Sequence, residues 1–255
     1  MSKKSAKKMP SAFTGERIAK RIAASGLCSR RQAEEWIGHA RVTVNGQLIT
    51  SPALNVTNDD RVEVDGKLLK NPNLEKPMVW KFHKPAGCLV TRTDPEGRPT
   101  IFDFLPAKIP PHIMPVGRLD FNSEGLLLLT NNGDLAHKLM HPSSEVYRVY
   151  RVRIKGALTT DEISKLRAGI KVEGIQYRPM KVEPEGTTAS NVWVKLTLTE
   201  GKNREIRNIM DAIGHPVSRL VRLSYGPIQL GKMLKGECLA LSTSQIERLT
   251  NLGKE

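Results

Sequence analysis

One aspartate stands in a segment whose composition suits a catalytic loop. Asp120 lies between Gly117 and Gly125, just ahead of four consecutive leucines at residues 126–129. A short apolar run of this kind is typical of a buried strand, and glycines let the backbone before it turn sharply. A carboxylate that a rigid strand holds in a loop can serve as a nucleophile or as a base. An aspartate that only forms a turn would fit the same local pattern.

A second segment interleaves aromatic rings with basic side chains. Residues 145–152 read as a strand in which tyrosines and arginines interleave. Tyr147 and Tyr150 are rivals for any role that needs a ring on one face, because the odd spacing puts their rings on opposite faces of the strand. A half-buried tyrosine with a purely structural role would also fit.

Basic side chains cluster in two further places. Residues 199–207 join a predicted strand to a predicted helix, where a solvated helix start is an alternative interpretation. Residues 91–103 form a predicted surface loop, where arginines are often only solvated. The cations concerned are Lys202, Arg204 and Arg207 in the first segment and Arg92 and Arg98 in the second.

Charge indicates the kind of partner. The 255 residues contain 40 Lys and Arg against 26 Asp and Glu, a net charge of +14, and the isoelectric point is about 9.8. Such a surface attracts a polyanion, and nucleic acid is the leading candidate. No apolar run approaches a membrane span, and the lysine-rich start lacks the apolar core of a secretory signal. We therefore expect a cytoplasmic protein.

Metal and disulfide chemistry are not indicated. Cys28, Cys88 and Cys238 are far apart and form no C-x-x-C pair, so free thiols are expected. His137 and His141 have the i, i+4 spacing of two metal ligands, but no glutamate follows the first as a metalloprotease motif requires. We predict neither a metal site nor a cofactor.

The elements that must position these side chains fall into two predicted domains. A basic, disordered tail is expected over residues 1–13, and a helix-helix-strand unit over 14–70 with a capping box at Ser29 and Gln32. Residues 71–77 read as a linker. Long strands mixed with helices over 78–252 predict an α+β domain with a mixed, mostly antiparallel sheet.

The N-terminal pattern resembles the S4 RNA-binding domain. The resemblance spans about 50 residues, from Arg17-Ile18-Ala19-Lys20 through Gly26 to Ala33 and on to Val42-Thr43-Val44-Asn45-Gly46. It implies that the two helices and the loop before the strand grip structured RNA. The implied phosphate-facing residues are Arg17, Lys20, Arg21, Arg30, Arg31 and Arg41.

The Gly-Arg-Leu-Asp motif at residues 117–120 resembles the catalytic motif of RNA pseudouridine synthases, in particular the RsuA/RluB family that modifies ribosomal RNA. The resemblance implies that Asp120 is the catalytic residue, that Tyr150 lies against the target base and that Arg207 pairs with the aspartate. It also implies RNA contacts for Arg92, Arg98, Arg118, Lys202 and Arg204. Residues 94–100, Asp-Pro-Glu-Gly-Arg-Pro-Thr, are closer to the enzymes of the large subunit.

We therefore expect a monomeric enzyme that isomerises a uridine in ribosomal RNA, with the 23S RNA of the large subunit favoured, either naked or in an assembling subunit. A catalytically silent S4-type ribosome-assembly factor is the alternative. The sequence does not choose between covalent addition of the carboxylate and proton removal at C2′. One departure is the strand at residues 236–241, where an arginine usual in the family is missing. It bears on specificity rather than on the chemistry.

Overall fold

The computed structural model describes residues 15–70, 76–110, 112–186 and 190–252. The chain divides into two compact units: residues 1–76, the N-terminal unit, and residues 77–255, the C-terminal unit. The expected basic tail and most of the expected linker lie outside the described residues. No helix in the described ranges is long and apolar enough to cross a membrane.

Two helices form one side of the N-terminal unit: α1 (Ile18–Ala24) and α2 (Arg30–Gly38). The predicted capping box is present, because the Ser29 hydroxyl accepts the Gln32 N–H and the Gln32 side chain accepts the Ser29 N–H. The core of the unit lies between the helices and its sheet, and includes Ile18, Ile22, Ala33, Ile37, Val42 and Val62.

The strands of this unit are short and antiparallel. They are β1 (Glu16–Arg17), β2 (Val42–Val44), β3 (Gln47–Ile49), β4 (Asn55–Val56), β5 (Val62–Val64) and β6 (Lys67–Leu68). Strand β1 pairs with β4, and the other four form a sheet in the order β3-β2-β5-β6. Asn45 and Gly46 both have positive φ, which is the geometry of a type I′ hairpin turn and confirms the predicted Asn-Gly turn.

One nine-stranded sheet organises the C-terminal unit, in the order β13-β14-β10-β15-β9-β7-β17 with β16 beside β15 and β8 beside β9. Every pairing of these strands is antiparallel except that of β15 with β9, so the predicted mixed, mostly antiparallel sheet is confirmed. The nine strands are β7 (Val79–Lys84), β8 (Met114–Pro115), β9 (Ser123–Thr130), β10 (Arg148–Lys155), β13 (Lys181–Glu185), β14 (Asn191–Leu198), β15 (Val217–Tyr225), β16 (Ile228–Gln229) and β17 (Cys238–Ala240). Strands β11 (Ile170–Val172) and β12 (Ile175–Tyr177) form a separate antiparallel pair.

Strand β9 explains the four leucines. Leu127 and Leu129 belong to the core on one face of the sheet, while Leu126 and Leu128 belong to the core on the other. A strand covered on both faces needs apolar residues at every position rather than at alternate ones. The loop that carries Asp120 is therefore attached to the most buried strand of the sheet.

Helices cover both faces of this sheet. They are α3 (Gly133–Met140), α4 (Thr160–Ala168), α5 (Glu205–Ala212) and α6 (Thr243–Thr250). Side chains of α3 and α6 contribute to one core, and side chains of α4 and α5 to the other. Short 3-10 helices, Ile101–Phe104 and Pro142–Ser144, complete the unit.

Candidate functional site

A cleft of about 570 Å³ opens on the α5 side of the large sheet. The loop before β9, strands β10, β14 and β15, and the segment of residues 199–207 form its walls. Three acidic side chains line it: Asp120, Glu200 and Glu205. Seven cationic side chains line it as well: Arg118, Arg148, Arg178, Lys202, Arg204, Arg207 and Arg222. This excess of positive charge makes the cleft complementary to an anionic strand.

Asp120 lies half-buried in the loop that leads into β9, as predicted from its glycines and leucines. The Ser123 N–H donates to the Asp120 carbonyl oxygen over 3.0 Å, which closes the turn. The fully buried Lys84 ammonium holds the same loop, because it donates to the carbonyl oxygens of Phe121 at 3.2 Å and Ser123 at 2.9 Å. Burial lowers the pKa of Lys84. These two hydrogen bonds therefore fix the backbone of the loop that carries Asp120.

Gly125 has a steric role in the same segment. Its φ is +105°, and a β-carbon there would lie 2.3 Å from the Arg222 carbonyl oxygen. Only glycine allows β9 and β15 to approach this closely and to pair. The second glycine of the motif therefore brings the aspartate loop next to β15.

Arg207 lies beside the aspartate loop. Its guanidinium donates to the Val217 carbonyl at 3.1 Å and to the Asn122 carbonyl at 3.4 Å. Burial lowers the pKa of Arg207, the charge of Arg204 lowers it further, and the charge of Asp120 opposes both. Among the described ion pairs there is none between Arg207 and Asp120. The two side chains therefore share one wall of the cleft, and their direct pairing stays a prediction.

The two tyrosines differ sharply in position. Tyr150 lines the cleft and is 9% exposed, whereas Tyr147 precedes β10, is 62% exposed and is not among the described residues that line the cleft. Alternation along β10 directs Tyr150 to the same face as the buried Val152 and Ile154. Of these two tyrosines, Tyr150 is therefore the one that lines the cleft, and its contact with a base stays a prediction.

The segment of residues 199–207 contains a buried acid that the sequence did not point to. The Lys202 N–H donates to Glu205 Oε2 over 2.8 Å, and Oε1 is buried with no partner among the described residues. Burial raises the pKa of Glu205 to about 7, and the adjacent Glu200 adds to the increase. Burial also acts to raise the pKa of Glu200, but hydrogen bonds from Arg178 and Lys202 outweigh it and lower that pKa.

Lys202, Arg204 and Arg118 line the cleft, and their contacts with RNA stay predictions. The Lys202 ammonium pairs with Glu200 and lies 5.5 Å from the centre of the Tyr177 ring. Arg204 has a left-handed backbone at the N-cap of α5 and an exposed side chain.

Arg92 and Arg98 are not among the described residues that line the cleft. Arg92 donates to the Ile113 carbonyl at 2.6 Å and stacks over the Phe102 ring at 4.4 Å. Arg98 is paired with Asp94 at 2.8 Å and with Glu96 at 3.2 Å. Both arginines hold their own loop together, so their predicted contacts with RNA gain no support from their positions.

The expected phosphate-facing role of Arg21 is wrong, because Arg21 is only 2% exposed. Its guanidinium lies 2.5 Å from Glu16 and also donates to the Thr57 carbonyl and to Asn58. Glu16 in β1 and the segment after β4 cover the Arg21 side chain.

The other N-terminal cations are more accessible. Lys20 is paired with Glu16 at 3.4 Å, Arg17 donates to the Ala53 carbonyl, and Arg41 is paired with Asp65 at 2.5 Å while it stacks over Trp36. Arg17 and Arg41 are exposed and Lys20 is partly exposed, and each has a local partner. The two arginines in the first turn of α2, Arg30 and Arg31, are exposed.

The histidines and cysteines do not form a metal site in the described part of the chain. His137 and His141 have ring centroids 5.6 Å apart, and His141 Nδ1 is bonded to the Ser143 hydroxyl at 2.7 Å. Within the described ranges no group of three or more His, Cys, Asp or Glu side chains could hold a metal ion. Cys28, Cys88 and Cys238 are free thiols.

Comparisons with known proteins agree with this architecture. Sequence models of two families match the chain: RNA pseudouridylate synthase over residues 79–212 and the S4 domain over residues 16–62. The ribosomal large subunit pseudouridine synthase B of Yersinia pestis is 43% identical over 223 residues, 86% of this chain and 70% of that protein. The protein of the same name from Bacillus subtilis is 37% identical over 239 residues, 93% of this chain and 96% of that protein.

A solved structure shows the same fold. The crystal structure of a pseudouridylate synthase, 27% identical in sequence, superposes with a TM-score of 0.66 and covers 92% of this chain and 100% of that one. Fold and site together define an RNA-modifying isomerase with a separate RNA-binding module. The chain belongs to the RNA pseudouridine synthase family and carries an S4 domain ahead of its catalytic unit, which confirms the resemblance seen in the sequence.

Proposed function

We propose that this protein isomerises a uridine to pseudouridine in the 23S RNA of the large ribosomal subunit, with Asp120 as the catalytic carboxylate. The observation that carries the proposal is the position of Asp120 in a cleft that also contains Tyr150 and seven cationic side chains. The names of the relatives, ribosomal large subunit pseudouridine synthase B, support the choice of substrate.

The reaction breaks the C1′–N1 bond of the nucleotide, turns the uracil and joins C5 to C1′. The proton on C5 then leaves, and N1 takes up a proton. Atoms and electrons balance within the nucleotide, so no oxidant or second substrate is consumed. Asp120 acts either by adding to the nucleotide or by removing the proton from C2′. Tyr150 provides the stacking surface that the uracil loses when it leaves the helix, worth about 1–3 kcal/mol per base.

The other cationic side chains of the cleft have supporting roles in this proposal. Arg207 lines the cleft with Asp120 and supplies positive charge beside it. Lys202, Arg204 and Arg118 add positive charge along the path of the RNA strand. In the N-terminal unit, Arg30 and Arg31 present two exposed cations for docking on structured RNA, with Arg17, Lys20 and Arg41 nearby.

A turnover assay tests the proposal and separates it from a silent assembly factor. Purified protein is incubated with 5-tritiated 23S RNA, 5-tritiated 16S RNA and pre-ribosomal particles, and the release of tritium from C5 is measured. We expect release from 23S RNA or its particles and none from 16S RNA. Pseudouridine mapping in cells with and without the gene should show the loss of a 23S site. Binding without release on every substrate would identify an assembly factor instead.

A further inference from the structure

Two arginines in the cleft are buried without an acidic partner among the described residues. Arg148 in β10 is 8% exposed and Arg222 in β15 is 3% exposed, and both line the cleft. None of the described ion pairs involves either guanidinium. Burying a charge is costly unless it is paired, so a buried arginine normally faces a carboxylate. Within the described structure, these two cations therefore lack the counter-charge that their burial calls for.

Neutral groups fix Arg148 instead. Its Nη1 donates to the carbonyl oxygens of Val146 at 3.1 Å and Thr199 at 3.0 Å, and its Nη2 donates to the Tyr225 hydroxyl at 3.2 Å. The Tyr225 hydroxyl in turn donates to the Leu139 carbonyl at 2.7 Å. The guanidinium is oriented by these contacts but not neutralised.

Arg222 is held more sparsely. Its Nε donates to the Leu126 carbonyl at 2.7 Å, and Nη2 is buried with no hydrogen-bond partner among the described residues. Its guanidinium lies 5.2 Å from the centre of the Tyr225 ring, and that of Arg148 lies 4.9 Å from the same centre. The Tyr225 ring thus lies against two guanidinium groups of the same charge. The Nη2 donor of Arg222 makes no hydrogen bond in the described structure.

The strand register places this pair next to Tyr150. Arg222 is the direct partner of Tyr150 across the β10–β15 pairing, and Arg148 lies two residues before Tyr150 on the same face of β10. Side chains at directly opposed positions start about 5 Å apart. The two cations therefore flank the ring proposed to carry the base.

We propose that Arg148 and Arg222 bind a phosphodiester of the RNA strand next to the nucleotide whose base lies on Tyr150. A phosphate supplies the missing negative charge and accepts two parallel N–H donors from a guanidinium. The three acids of the cleft do not compete, because they are not ion-paired with either arginine in the described structure. The inference rests on the proposed function, since it assumes that a nucleotide enters this cleft.

Small probes test the site without any turnover. Binding of uridine, uridine 3′-monophosphate and uridine 5′-monophosphate is followed by NMR titration for the wild type, R148Q, R222Q, R222K and R153Q. Arg153 is exposed on β10 and faces away from Tyr150, so R153Q removes the same charge elsewhere. We expect one of the two monophosphates to bind on the order of tenfold tighter than uridine to the wild type and to R153Q. This gain should vanish in R148Q and R222Q and be reduced in R222K, which keeps the charge but loses the fork.

A modified RNA tests the same contact without substituting either arginine, so misfolding of an arginine variant cannot obscure the result. Single phosphodiesters beside the target uridine are replaced by neutral methylphosphonates, and affinity is measured with the D120N variant. One replacement should weaken binding on the order of tenfold and reduce the slope of log affinity against log salt by about 0.7, the value for one phosphate on a single strand.

The outcomes separate this site from the proposed function. If tritium release fails but one phosphate still strengthens nucleotide binding in an Arg222-dependent way, the phosphate site stands and the proposed function falls. If turnover is normal but both monophosphates bind no better than uridine, or the gain survives in R222Q, the site is overturned. Equal losses in R222Q and R153Q would also overturn it, because they would show only the effect of net charge.

Discussion

Asp120 can be tested for chemistry separately from binding. Asp120→Asn keeps the size of the side chain but removes both the nucleophile and the base, so we expect tritium release to fall by several orders of magnitude. RNA affinity and the urea midpoint should stay close to those of the wild type. Asp161→Asn, on the exposed face of α4, is the matched control and should retain full activity. Release by D120N within about tenfold of the wild type would assign the chemistry to another residue.

The raised pKa of Glu205 predicts that this residue makes the free energy of unfolding depend on pH. An ordinary glutamate has a pKa of 4.5, whereas burial raises that of the folded Glu205 to about 7. Between these values the unfolded chain has released the proton and the folded chain still holds it, so stability falls as pH rises and levels off above about 7. Glu205→Gln mimics the protonated acid and should remove this loss, on the order of 1–3 kcal/mol.

Urea unfolding of the wild type and E205Q at intervals from pH 5 to 8 checks this prediction. The difference in unfolding free energy should change steadily with pH toward a plateau above about 7. Histidines titrate in the same range, but they are common to both proteins and cancel in the difference. Two curves that run parallel across the range would show that Glu205 is ionised when folded.

At the scale of elements, Lys84 at the end of β7 links a strand to the loop that carries Asp120. Lys84→Met leaves the carbonyl oxygens of Phe121 and Ser123 without their ammonium donor. We expect a loss of about 1–3 kcal/mol in unfolding free energy and a fall in kcat on the order of tenfold to a hundredfold as Asp120 shifts, with KM little changed. Lys81→Met on the same strand is the control. A Lys84 variant that is destabilised but keeps the wild-type kcat would contradict the positioning role.

The elements also show what the sequence could and could not predict. The four leucines indicated β9 because a doubly covered strand is apolar throughout, and the capping box at Ser29 marked the start of α2. Strand β15 escaped notice, because its buried Arg222 breaks the apolar alternation by which a strand is recognised. The S4 resemblance implied that Arg21 faces RNA, and a local sequence pattern could not show that Thr57 and Asn58, distant along the chain, help to cover it.

At the scale of the whole molecule, docking and chemistry should be separable. Arg30→Gln combined with Arg31→Gln removes two exposed cations from the S4 domain. The slope of log affinity against log salt should decrease by up to about 0.9 for each phosphate that is no longer neutralised on duplex RNA, if RNA behaves as B-DNA does. KM on long ribosomal RNA should rise while kcat at saturation stays within a few-fold, because only uniform binding is weakened.

A charge-matched control is Arg153→Gln combined with Lys155→Gln, on the exposed side of β10. This double variant should leave KM close to that of the wild type. If the S4 variant instead lowered kcat and left KM unchanged, the N-terminal unit would be shaping the catalytic site rather than holding the RNA.

The burial of β9 on both faces predicts how the enzyme loses activity on heating. Segments covered on both sides open only when the whole domain opens, so their amide protons exchange most slowly with solvent. The loop that carries Asp120 is attached to such a segment, and we expect the amides of residues 126–129 to be among the last to exchange. Heating should therefore abolish activity together with the sheet, in one step, and not through an earlier local melting around Asp120.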